Sequence, residues 1–314
     1  MDLLLLRAAD VSALLDLDQL VDLLADAFIE LSAGRTSVPP RIAAYTPNGQ
    51  LLTMPGYVPG IGLETKLVSV FPDNTELGLP THQAVIIVFD EATGSPVALI
   101  DGTVITAART AASSALSVRL LRRRDASVLA ILGAGVQGQA HLQAVDRIFG
   151  PTEIRIASRN SQHARVAAQK HGRASVVPTF EEAVRGADVI CCCTDAGTPI
   201  LRHDWLRPGA HITSVGASQR GPEIDSRSVE AASLFVESRV ALQPYPAGCH
   251  ELRGIEPRRA TELGEVLAGT RPGRSGDDEL TLYKSMGHAI GDAVAATLVL
   301  RAARDCGAGT LISV

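Results

Sequence analysis

The chain has no apolar run long enough to span a bilayer. Its N-terminal Leu3–Leu6 run is too short for a signal peptide, and it follows an acidic residue rather than a basic one. Together these absences predict a cytoplasmic protein with no membrane association. No C-x-x-C pair occurs. Three of the 5 cysteines, Cys191, Cys192 and Cys193, are adjacent, so on a strand they alternate sides and cannot close a metal cage. They read as reduced, small apolar residues, and no metal is expected. No RNA-binding motif is present, and the net charge of -5 argues against a nucleic-acid surface. Internal repeats and low-complexity tails are also lacking. What is present is 314 residues, 46% of them hydrophobic, enough for two domains with sizeable cores.

The most informative stretch is Ser127–Gly138. Val128-Leu129-Ala130-Ile131-Leu132 is short and apolar, as a buried parallel strand is. Gly133-Ala134-Gly135-Val136-Gln137-Gly138 follows, and a helix-compatible segment comes after it. Strand, G-x-G-x-x-G and helix in that order form the dinucleotide fingerprint. Gly133 allows the tight turn, Gly135 lets the backbone approach a pyrophosphate, and Gly138 lets the helix lie close on the strand. The phosphates would sit at the helix N-terminus, where free N–H groups and the dipole favour anions. A second strand reads Glu153-Ile154-Arg155-Ile156-Ala157-Ser158 and ends in Ser158-Arg159-Asn160. An NAD site would place a carboxylate at that strand end for the ribose 2′-OH. Here Arg159 can pair with a 2′-phosphate, and Ser158 and Asn160 can donate to it. NADPH is therefore expected to be preferred over NADH.

The rest of the chain divides around this fold. Asp18 can cap a helix from Gln19 to Ala33 with an apolar face that includes Leu20, Leu24, Ala27 and Phe28. From Val38 to Ala98, short strands separated by Pro/Gly turns predict an α+β domain around a sheet. Asp101–Ala115 begins a helix rich in small residues, in which a buried Arg109 needs an anionic partner. Arg122-Arg123-Arg124 closes that domain at a helix end. Strand–helix alternation then repeats the doubly wound logic, and a loop over 269–278 looks disordered. A last helix spans about Ala289 to Arg304. The fold class is α/β: a Rossmann domain over 125–289, and a substrate-binding and dimerisation domain of α+β type over 1–124 with 290–314.

Several motifs together carry a family resemblance over essentially the whole chain. They are Glu64-Thr65-Lys66-Leu67-Val68, Leu79-Pro80-Thr81-His82-Gln83-Ala84, Asp101-Gly102 with Ile105-Thr106 and Arg109-Thr110-Ala111-Ala112, Leu132–Gln137, Gly186–Ile190, Pro208–Ser218 and Lys284-Ser285-Met286-Gly287. On these residues the chain resembles the ornithine cyclodeaminase/μ-crystallin family. The resemblance implies a homodimer joined through the N-terminal sheet. It implies that Lys66 and Arg109 are the catalytic cations and grip a substrate carboxylate with Arg41, while Met54, Thr81 and Ser218 belong to the substrate pocket. It further implies a cofactor-binding set of Thr110, Gly133, Gly135, Val136, Gln137, Gly138, Ser158, Arg159, Asn160, Thr194, Val215, Gly216, Ser285 and Gly287. A guanidinium fork and an ammonium suit a carboxylate on general grounds.

One position departs from the cyclodeaminase pattern. Where those enzymes carry an aspartate after Val-Gly-x, this chain has Ser218. A serine hydroxyl cannot serve as an acid–base group near neutral pH. The Ala217-Ser218 form is similar to the reductase branch of ketimine reductases, pyrroline-2-carboxylate reductases and archaeal-type alanine dehydrogenases. The expected activity is NAD(P)H-dependent reduction of a C=N bond beside a carboxylate, on an imino or amino acid substrate. Two rivals remain at this point: an NAD-dependent ornithine cyclodeaminase, and a binder of small carboxylate hormones.

Overall fold

The computed structural model describes residues 2–216 and 221–313. In chain order the elements are β1 (Asp2–Leu6), α1 (Ala8–Leu14), α2 (Leu17–Ser32), β2 (Ile42–Thr46), β3 (Gly49–Val58), β4 (Gly62–Val70), β5 (His82–Phe89), β6 (Pro96–Asp101) and α3 (Gly102–Leu121). There follow β7 (Val128–Leu132), α4 (Val136–Phe149), β8 (Glu153–Ala157), α5 (Ser161–His171), β9 (Ser175–Val176), α6 (Phe180–Val184), β10 (Val189–Cys192), β11 (His211–Ser214), α7 (Ser226–Ala231) and β12 (Ser233–Val236). The last are β13 (Ala260–Glu262), α8 (Leu263–Leu267), β14 (Thr281–Lys284), α9 (Ala289–Cys306) and β15 (Thr310–Ser313). Among the described residues no helix is long and apolar enough to cross a membrane.

Two compact units result: Met1–Arg109 with His288–Val314, and Thr110–Gly287. The first is built on a seven-stranded sheet in the order β15-β1-β6-β5-β4-β3-β2. Strict alternation over β3, β4 and β5 sends Leu52, Met54, Val68, Ala84 and Ile86 to one face, where they are buried. The helix α9 closes on that face, so near that a Cβ on Gly56 would stand 3.3 Å from the Ala289 Cβ, and one on Gly62 2.9 Å from the Thr297 hydroxyl. Asp16, not Asp18, caps α2: its carboxylate accepts from the Gln19 N–H at 2.8 Å, which puts the helix start two residues earlier. The edge strand β15, which pairs antiparallel with β1, had no sequence signal of its own.

The second unit is an eight-stranded parallel sheet, β13-β12-β14-β11-β10-β7-β8-β9. The chain leaves β7 toward β8 on one side and later returns to β10 on the other. That order places the topological switch at the C-terminal ends of β7 and β10, where open α/β sheets bind ligands. Cys191, Cys192 and Cys193 are buried there as free thiols. The boundary falls inside α3, at Arg109/Thr110, rather than after the arginine run at 124. The reason is local. The second half of α3 carries Ser114 and Ser117, which hydrogen-bond the buried His141 of α4 and His211 of β11 and so commit that half to the parallel sheet. The 269–278 loop has no regular element, yet Arg274 ties it down by donating to the Leu121 carbonyl and the Thr281 hydroxyl.

Candidate active site

In the first unit, three charged side chains on three elements meet out of solvent. Lys66 on β4 faces the same side as Met54, its register partner on β3. Arg109 closes the first half of α3, whose start is capped by the Asp101 carboxylate. Asp292 lies in the first turn of α9. The Asp292 carboxylate takes both cations: its Oδ2 is 2.8 Å from Lys66 Nζ, and its Oδ1 accepts from Arg109 Nε at 2.9 Å. Lys66, Arg109 and Asp292 are 1%, 4% and 0% exposed. Lys66 Nζ also reaches the Thr106 hydroxyl at 3.4 Å, one helical turn before Arg109.

Burial governs the charges. It pulls the Lys66 ammonium down, Arg109 pulls the same way, and Asp292 only partly restores it, leaving a pKa of about 8. Burial alone would raise the Asp292 carboxyl, but the Arg109 and Lys66 cations outweigh it and hold the group below its ordinary range. His288, the N-cap of α9, is pushed by burial to about 4 and is neutral. Arg41, just ahead of β2, is near enough that its charge acts on both Lys66 and His288.

The structure thus brings Lys66, Arg109, Met54 and Arg41 to one part of the first unit. Thr81 is placed differently. It precedes β5 at the end of the sheet where Val70 pairs with His82, and its hydroxyl is 3.1 Å from His82 Nδ1. Ser218 lies outside the described residues. Sequence reasoning missed two residues, Asp292 and Glu64. Asp292 carried a usable signal: it is an acid in the otherwise apolar first turns of a helix, and Arg109 needed an anion.

In the second unit the glycine turn is built as the fingerprint requires. Gly133 has φ +107°, and a Cβ on it would meet the Cys193 carbonyl oxygen at 2.5 Å. A Cβ on Gly138 would collide with the Gly133 carbonyl at 2.0 Å, so α4 can approach β7 only with glycine there. Gly135, the N-cap of α4, has open space where its Cβ would be, and Val136 beside it is exposed. This cradle fits a pyrophosphate at a helix N-terminus. Ser158, Arg159 and Asn160 follow β8 with no carboxylate among them, and Arg159 and Asn160 are exposed. The Asn160 Oδ1 is occupied in capping α5, accepting from Gln162 N–H at 3.0 Å. Its side-chain amide can donate elsewhere.

The strand ends beside this turn are held from below. The Glu223 carboxylate accepts from Thr194 N and Oγ1 at 2.6 and 2.7 Å, from Ser214 Oγ at 2.8 Å and from Gly216 N at 3.0 Å. Lys284 at the end of β14 donates to Ser214 Oγ and Glu251 Oε1. Ser285 donates to Glu237, and its hydroxyl oxygen accepts from the Gly287 N–H, where φ is +68°. Glu223 therefore fixes Thr194, Ser214 and Gly216, the exits of β10 and β11, in one geometry, and Val215 between them donates its N–H to the Cys192 carbonyl. Thr110 on α3 is buried.

A doubly wound dinucleotide fold with a buried cation cluster in a separate α+β unit defines a class of two-domain enzymes. The chain belongs to the ornithine cyclodeaminase/mu-crystallin family, whose model matches residues 1–306. It is 41% identical over 254 residues to the mouse ketimine reductase mu-crystallin, 80% of each chain being covered. Among solved structures it is similar to the Thermococcus litoralis Delta(1)-pyrroline-2-carboxylate reductase in complex with NADH and L-proline, with 34% identity, a TM-score of 0.91 and coverage of 98% of this chain and 99% of that one. It is also similar to an archaeal alanine dehydrogenase dimer with bound NAD, with 30% identity, a TM-score of 0.90 and coverage of 100% and 99%.

Proposed function

We propose that the protein is an NAD(P)H-dependent oxidoreductase that reduces C=N bonds adjacent to a carboxylate. Its substrates would be cyclic ketimines such as pyrroline- or piperideine-2-carboxylate, or imines of 2-oxo acids. The observation that carries this reading is the Lys66–Asp292–Arg109 set: two buried cations share one carboxylate, which leaves positive charge for a substrate anion. When bound, the nicotinamide supplies the hydride. This chain's residues do the rest. The planar Arg109 fork, with Arg41, orients the substrate carboxylate, and orientation accounts for much of the rate. Lys66, with its pKa near 8, carries a proton at Nζ that it can give to the imine nitrogen close to neutral pH. One hydride to carbon and one proton to nitrogen balance the reduction. Met54, the register partner of Lys66, faces the same side and lines the substrate pocket in this reading.

The test is NADPH oxidation with a panel of cyclic imines and of 2-oxo acids plus amines, run beside ornithine conversion to proline. Arg109→Lys keeps the charge but loses the fork. Losing a charge-assisted hydrogen bond costs about 1.5–3 kcal/mol, so kcat/KM is expected to fall roughly ten- to a hundredfold. NADPH affinity should change little. A stable variant with wild-type kcat/KM on every imine would remove Arg109 from the carboxylate site.

NADPH is the preferred cofactor in this reading, because Ser158-Arg159-Asn160 stands where a ribose-binding acid would. Arg159→Ala should raise KM for NADPH about tenfold or more and leave NADH nearly unchanged. Equal losses with both cofactors would place the 2′-phosphate elsewhere.

The protein also works as a homodimer in this reading. The sheet face turned away from Lys66 presents Ile42, Leu51 and Val85, which are 69%, 45% and 41% exposed in the isolated chain. Exposed apolar side chains gathered on one sheet face support an interface there. Sedimentation at micromolar concentration should give twice the mass of the chain, and a monomer would refute the pairing.

A further inference from the structure

Glu64 lies two residues before Lys66 on β4, so both point to the buried face of the sheet. It is 2% exposed, and neither carboxyl oxygen has a hydrogen-bond partner among the described residues. Its Oε1 stands 3.2 Å from where a Gly56 Cβ would be, and that same point is 3.3 Å from Ala289, which begins the turn of α9 that carries Asp292. Glu64 is thus a second carboxyl beside the Lys66–Asp292–Arg109 set, and it pairs with none of them. An ionised carboxylate in such a place is far costlier than a neutral acid. Burial and, after it, the Asp292 charge raise the Glu64 carboxyl well above its ordinary range, against the opposing pull of Lys66 and Arg109.

We propose that Glu64 is a specificity-determining residue that stands in the resting enzyme as a neutral carboxylic acid, and that its proton preserves the positive surplus with which Lys66 and Arg109 hold an anionic substrate. The count is simple. Lys66 and Arg109 against Asp292 leave one positive charge in excess, Arg41 brings the excess to two, and an ionised Glu64 would halve it. Among the described residues whose charges act on the cluster, Arg41 from the segment before β2 adds to the surplus, and His288 at the start of α9 is neutral. The residues opposite Glu64 on the neighbouring strands, Gly56 and Val88, carry no charge. The inference rests on the carboxylate-docking reading of Lys66 and Arg109.

Two measurements on the full-length enzyme saturated with NADPH test it. The first is the infrared difference spectrum of wild type against Glu64→Gln between pH 5 and pH 10. The second is the affinity for pyrrole-2-carboxylate, a planar carboxylate with no C=N bond to reduce, over the same range. The wild type should show a carboxylic-acid carbonyl band at pH 7 that Glu64→Gln lacks. As the band fades with rising pH, affinity should fall by up to tenfold per pH unit, in addition to the loss caused by Lys66. Glu64→Gln should show only the Lys66 loss. No acid band at pH 7 overturns the proposal, as does an affinity profile that is the same in both proteins. Glu64→Leu, also neutral, serves if Glu64→Gln does not fold. Arg109→Lys separates this idea from the one beneath it. If that variant binds pyrrole-2-carboxylate like wild type, the docking reading fails, while the band still reports the Glu64 proton.

Discussion

Asp292→Ala is expected to be the most damaging single substitution in the first unit. It leaves Lys66 and Arg109, both nearly inaccessible, without their shared anion. Removing one partner of a buried ion pair costs about 3–5 kcal/mol, because the remaining charge is stranded in a poor solvent. For a unit of this size that corresponds to a fall in Tm of roughly 10–17 °C. Lys66 gives the protein one escape. Its pKa is already near 8, so it can shed its proton when Asp292 is gone, whereas Arg109 cannot. The loss should therefore be greater below pH 8 than above it. Activity should collapse further than stability, since the two cations lose their placement. Thermal melts at pH 6 and pH 9 check this. A variant that melts with wild type at both would show that the carboxylate does not hold the pair.

That result also bears on what the sequence could show. The Gly133–Gly138 turn is local: three glycines, a strand before and a helix after lie within a few residues, and each glycine has a steric reason readable at that range. The same holds for the alternation of β3, β4 and β5, where period two reveals which face is buried. Asp292 is different. Its bond to Arg109 closes across 183 positions, and periodicity says which face of α9 is inside but not what it meets there. Glu64 was quoted as part of a motif, yet its isolation from hydrogen bonds is a property of packing. The boundary within α3 was hidden for a related reason. A helix rich in small residues can pack on either neighbour, and only the buried serine–histidine bonds commit its second half. Local capping was nearly readable: both Asp16 and Asp18 are good N-caps, and geometry selects Asp16.

Those serine–histidine bonds imply the second large effect, a loss of stability in acid. Ser117 Oγ donates to the Ser114 carbonyl at 2.7 Å, so toward His211 it can only accept, and His211 Nε2 carries the proton. Thr281 Oγ1 accepts from Arg274, so its own hydrogen is free to donate to His211 Nδ1 at 2.9 Å. In His141, Nδ1 donates to the Gln137 carbonyl at 2.8 Å and Nε2 accepts from Ser114. Both rings are neutral, satisfied and 0% exposed. Burial brings His141 down to about 4 and, with the Arg274 charge added, His211 to about 3. Between these values and the unfolded pKa near 6.5, the unfolded chain binds protons that the native chain does not. Stability is thus complete above pH 6.5 and is lost as pH falls toward 4, by about 1.4 kcal/mol per pH unit for each histidine. Glu64 works in the opposite sense, because its native form keeps a proton that the unfolded chain releases, but it belongs to the first unit, where it stands against the buried, neutral His288. Together the two histidines of the parallel-sheet unit remove about 7 kcal/mol between pH 6.5 and pH 4, a large share of the about 5–15 kcal/mol by which a domain is stable. The slope, rather than the absolute stability, is the readout, which keeps the test sound even if a substitution itself costs stability. Urea unfolding of His211→Gln from pH 7 to pH 4.5 should be less steep in pH than wild type by about 1.4 kcal/mol per unit. A slope equal to wild type would mean that His211 is protonated in the folded protein, and the hydrogen-bond assignment through Ser117 and Thr281 would have to be abandoned.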